Sequence, residues 1–140
     1  MLDIDKSAKS FVLIMIVIAL TALLLRIAID RIIKINIAQN ESNAQGTLKL
    51  ISAALENYAK DHSGVYPASF SDLTKTKPAY LDKDYITPST SKGYNYTCLR
   101  IEPSGYSCFA SPTRCKLTGK MAYTITTGSL LVSEGCERKE

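Results

Sequence analysis

The sequence predicts an α+β fold: one long N-terminal helix, membrane-spanning in its first half, packed through its second half on a small antiparallel sheet of three or four strands. Three observations predict it. Neither proline nor glycine interrupts the chain from Met1 to Gln45. An uncharged apolar run from Phe11 to Leu25 gives way to apolar residues that recur at intervals of three and four. All four cysteines fall in the last third of the chain, among short alternating segments bounded by turn residues.

The segments follow in order. Residues 1–10 form a short leader-like tail. Residues 11–35 are the membrane part of the helix. A spanning helix needs roughly 17–25 apolar residues, and extending Phe11–Leu25 to Ile29 supplies that length at the cost of including Arg26. A long cation near the end of a span reaches back to the headgroups, so Arg26 is compatible with it. Arg26, Asp30 and Lys34 stand four apart on one helical face with alternating sign, a spacing expected to support the helix. Cations flanking the span, Lys6 and Lys9 before it and Arg26, Arg31 and Lys34 after it, slightly favour an inward C-terminal side. The cysteines favour export, and they outweigh a difference of one residue. No small-x-small cleavage pattern follows the apolar run, which argues against a cleaved secretory signal.

Residues 36–62 are the amphipathic part. Ala44, Leu48, Ile51, Leu55 and Tyr58 form an apolar stripe, opposed by Lys49, Glu56, Asn57 and Lys60. Leu48, Ile51, Leu55 and Tyr58 are therefore expected to hold the head on its helix. Gly46 weakens the helix locally and permits a bend. Gly64, Pro67 and neighbouring small polar residues end it.

Residues 63–93 read as a connecting loop containing Pro67, Pro78 and Pro88, with a short helical turn over 71–75 that directs Phe70 and Leu73 inward. Residues 94–140 read as the sheet. Strands are expected over 94–101, 106–110, 121–126 and 129–132, with a turn at Glu102–Gly105 and a tight hairpin at Thr127-Gly128. This places Cys98 and Cys108 on adjacent strands, with Cys115 in a loop toward which the strand before Cys136 returns. The pairing Cys98–Cys108 with Cys115–Cys136 is favoured, and the two other pairings stay open. Four cysteines confined to a small distal region point to disulfides in an oxidising compartment. Zinc would require closer pairs.

Several function classes find little support. A net charge of +4, with basic residues scattered and no aromatic interleaving, is no nucleic-acid footprint. His62, the sole histidine, lies at a helix end and suits capping better than catalysis. No nucleophile elbow or phosphate-binding glycine loop is present. Asp82, Asp84 and Glu134 are too scattered for a calcium site. The expectation is a non-enzymatic chain with no catalytic residue, cofactor or metal. The tyrosines of the head are expected mainly as packing groups.

The uncharged run opened by Phe11, the helix end ISAALENYAKDHSGVYPASFSDL from Ile51 to Leu73, and the terminal stretch FASPTRCKLTGKMAYTITTGSLLV resemble type IV pilin-like proteins. The similarity is greater to the pseudopilins of type II secretion than to major adhesive pilins, and spans about Phe11 to Glu134. It implies a structural subunit of a type IV pilus or type II secretion-type filament. Its partners would be other pilin-like subunits, an inner-membrane assembly platform and membrane lipid. Its implied location is the inner membrane, single-pass, with the C-terminal head in the periplasm or on a filament exterior. Phe11, Leu13, Ile14, Met15, Ile18 and Leu25 would pack the helices of an assembly. The family is cut between a glycine and the following aromatic, so Ser10 and Phe11 are the corresponding processing positions. Two departures stand out: Ser10 replaces that glycine, and Met15 replaces a glutamate that in the family pairs with a neighbour's freed N-terminus. Both fit a minor or tip subunit, or a membrane-anchored periplasmic binding protein that never polymerises. A membrane-anchored enzyme is a weaker third reading, because no catalytic pair is visible.

Overall fold

The computed structural model describes residues 2–87 and 90–137. Pro88 and the end of the 94–140 segment after Glu137 lie outside the described residues. Helix α1 runs unbroken over Leu2–Asp61, as expected of a stretch free of proline whose one glycine sits at an exposed helical position. The chain divides into two compact units, one up to Ile35 and one from Asn36 on.

In the second unit α1 ends with Ser63 and Gly64 at positive φ, the Gly64 amide donating to the Ala59 carbonyl. That bond satisfies a carbonyl which the helix leaves without an intrahelical partner. Helix α2 (Ser71–Lys75) buries Leu73, whose carbonyl accepts from the amides of Tyr80 and Leu81. The connection is thus folded back on its own short helix.

The sheet contains five antiparallel strands in sequential order, one more than the upper expectation. They are β1 (Thr90–Ser91), β2 (Tyr94–Glu102), β3 (Gly105–Pro112), β4 (Met121–Thr126) and β5 (Leu130–Gly135). The unexpected strand is β1, inside the 63–93 segment read as loop. It is too short for alternation to reveal. It pairs with β2 around Lys92 and Gly93, both at positive φ, the backbone a tight hairpin turn requires. A second correction concerns the β4–β5 turn. The last pair is Thr126 with Leu130, so the turn holds three residues rather than Thr127-Gly128 alone.

Alternation places one face of the sheet on α1. Tyr94, Tyr96, Tyr106, Cys108, Ala110, Tyr123 and Ile125 are buried there with Ala44, Leu48, Ile51 and Leu55. The strands thereby present a cross-strand row of aromatic side chains to the helix stripe. A register shift between Cys98 and Arg100 bulges β2 and leaves Leu99 on the surface.

Candidate functional site

In the first unit every large apolar side chain from Phe11 to Ile35 is exposed. Phe11, Leu13, Ile14, Met15, Ile18 and Leu25 each show 53–64% of their surface. A single Leu, Ile or Phe left in water forgoes about 1.5–3 kcal/mol of burial. A run of this length is costly to leave in water, and the helix is long and apolar enough to cross a membrane. Thr21 is the only hydroxyl between Phe11 and Leu25. Its Oγ1 donates to the Ile18 carbonyl at 2.9 Å. The helix itself satisfies that polar group.

The expected support from the Arg26–Asp30–Lys34 ladder is not realised. None of these residues, nor Arg31, forms an ion pair among the described residues. All four are exposed.

In the second unit, Leu48, Ile51 and Leu55 are fully buried. Tyr58 is only partly buried and packs at the margin, its ring stacked on His62 at 3.9 Å between centroids and edge-on to Tyr80 at 5.4 Å. His62 Nδ1 lies 2.8 Å from the Tyr58 carbonyl at the helix end. Asp61 accepts from the Tyr80 hydroxyl at 2.8 Å. That bond, with some burial, holds the Tyr80 hydroxyl above its ordinary pKa.

Sequence reasoning missed the polar clamp that holds the helix to the sheet. Glu56, assigned to the solvent face, accepts three hydrogen bonds: from Tyr66 at 3.0 Å, Tyr106 at 2.8 Å and the Gly128 amide at 2.7 Å. Ser52, buried, lies 2.8 Å from the Tyr106 hydroxyl and 2.6 Å from that of Ser129. Burial, reinforced by Glu56, pushes the Tyr66 hydroxyl up to about 12. Farther along α1, Asn40 donates to the Thr118 carbonyl, and Glu41 accepts from the Lys120 amide. The missed signal was a row at intervals of four: Asn40, Ala44, Leu48, Ser52 and Glu56. Its middle members are core, so its polar members also face the sheet.

The structure pairs Cys98 with Cys108, directly opposite each other on β2 and β3, and Cys115 with Cys136. The second bond ties the end of β5 to the loop that Asn40 and Glu41 hold. On the sheet face away from α1, an open groove of about 580 Å³ lies over Thr97, Leu99, Phe109, Ala122 and Thr124, next to this disulfide. Among the described residues, no three His, Cys, Asp or Glu side chains gather as a metal-binding group.

The geometry thus comprises an unpartnered apolar helix surface and a head stabilised by disulfides and a polar clamp. Compared with known proteins, the chain matches no family model, no curated protein and no solved structure.

Proposed function

We propose that this chain is a pilin- or pseudopilin-like structural subunit of a type IV pilus or type II secretion-type filament, at a minor or tip position. The observation that carries this reading is the continuous exposed apolar surface from Phe11 to Ile35, on a helix whose later turns form the spine of a disulfide-bonded antiparallel head. Such a surface is satisfied equally by lipid before assembly and by neighbouring apolar helices after it. The protein then acts mechanically. Addition and removal of subunits at the membrane extends and retracts a fibre, and no bond in a substrate is made or broken. Its partners are other pilin-like subunits, the inner-membrane assembly platform and lipid, with the head on the periplasmic side or the filament exterior.

Ser10 and Met15 favour a second reading, a membrane-anchored periplasmic protein that binds a partner without polymerising. The N-terminus and intact mass of the protein from its native membranes separate the two. A chain beginning at Phe11, particularly one N-methylated there, supports the filament subunit. A chain that retains Met1 and stays monomeric on cross-linking supports the anchor and removes the filament reading.

A further inference from the structure

Asp30 is the only acidic residue between Asp5 and Glu41. It stands among Arg26, Arg31 and Lys34, yet these residues form no ion pair among the described residues. Ile27, Ile29, Ile32, Ile33 and Ile35 surround it, all exposed. On an isolated helix in water such charges contribute little. Between apolar surfaces an unpaired carboxylate is costly and a paired one holds its partner firmly.

Arg26, Asp30 and Lys34 span one face of the helix, with signs plus, minus, plus, at intervals of four residues. Two parallel copies side by side, without axial offset, set like charge against like at all three positions. An offset of two turns sets Arg26 against Lys34. An offset of four residues, about 6 Å along the axis, sets Asp30 of one copy level with Arg26 of the next, and Lys34 of the first level with Asp30 of the second. Both contacts are then of opposite sign. Copies inserted in one membrane by one route point the same way, so the parallel case applies.

We infer that the ladder is an intermolecular register device: it selects a second copy of this chain, displaced by about one helical turn, as the neighbour of the apolar helix. This rests on the proposed self-assembly through that helix.

The test uses full-length chains in their membrane. One carries Ala19→Cys and the other Leu23→Cys, each with a different size tag. Leu23 and Ala19 lie about two and three turns before Asp30 on the same face, and the native cysteines are already paired. On mild oxidation, the mixed dimer linking position 19 to position 23 should exceed either self-linked dimer several-fold. Asp30→Lys in both chains should remove that preference. Reversing the whole ladder in both chains, Arg26→Asp/Asp30→Lys/Lys34→Asp, should restore it, because like signs again meet in register and opposite signs at the offset. Self-linked dimers that dominate and ignore Asp30→Lys overturn the register device while leaving assembly intact. No cross-link from any position between Phe11 and Leu25 overturns the assembly reading beneath it. If the Asp30→Lys chain fails to insert, the ratio of mixed to self-linked dimers with the native ladder decides alone.

Discussion

Gly119 has no room for a side chain. A Cβ there would collide with the Tyr94 hydroxyl and sit 2.6–2.7 Å from two ring carbons. Tyr94 is fully buried and donates to the Met121 carbonyl at 2.7 Å, so it has nowhere to retreat. Gly119→Ala should lower the stability of the full chain in detergent by about 1–3 kcal/mol, read as a lower melting temperature. An unchanged melting point would show that the ring yields. Tyr66 supplies a pH prediction. Its pKa is raised from 10.0 to about 12 by burial first and by Glu56 second. The fold therefore favours the neutral hydroxyl. Its contribution is complete below pH 10 and is lost as pH rises toward 12. Chemical denaturation across that window should show falling stability, and Tyr66→Phe should flatten part of the fall. Identical slopes in the two proteins would remove Tyr66 from the explanation.

At the scale of elements, α1 crosses Gly46 without interruption, although glycine there permits a bend. The position is exposed and nothing lies within 4 Å of an added Cβ. Gly46→Ala should therefore stabilise the chain by about 0.5–1 kcal/mol, measured as a raised unfolding midpoint. A loss of stability would reveal a contact that requires the glycine. Strand β5 lies at the sheet edge and is almost wholly exposed. Its far end is held by Cys136 and by the Cys136 amide on the Lys120 carbonyl. Replacing Cys115 and Cys136 together by serine should cost about 2–4 kcal/mol. It should also accelerate amide exchange in β5 ahead of β3, and uniform protection in both strands would contradict this tether.

At the scale of the molecule, the two units meet opposite solvent requirements. The second unit buries its own core around the helix stripe, whereas the first unit leaves its apolar surface to its surroundings. An acidic residue at the middle of a span costs about 3 kcal/mol on insertion scales. Ile18→Asp should accordingly shift full-length protein from the membrane pellet to the soluble or degraded fraction after alkaline extraction. Undiminished membrane retention would argue that Phe11–Leu25 is not embedded.

Local chemistry by itself determined the long helix, its division into an apolar and an amphipathic part, and strands β2, β3 and β4. Each follows from a repeat visible along the chain: an unbroken apolar run, intervals of three and four, or alternation between turn residues. The inward Leu73 and the buried Leu48, Ile51 and Leu55 were legible for the same reason. Helix α2, a fourth long strand at β5 and the favoured disulfide pairing were legible as well, and tertiary structure alone decided three further features. Glu56 and Ser52 look like solvent-facing polar residues until Tyr66, Tyr106 and the 127–129 turn are brought onto them by chain segments well removed in sequence. The extra turn residue, Ser129, takes a positive φ while its hydroxyl meets Ser52, a helix partner that no local turn rule contains. Strand β1 is too short to carry a period and exists only through its pairing with β2. Periodicity reports which face of an element is buried, and only the assembled fold reports what that face meets.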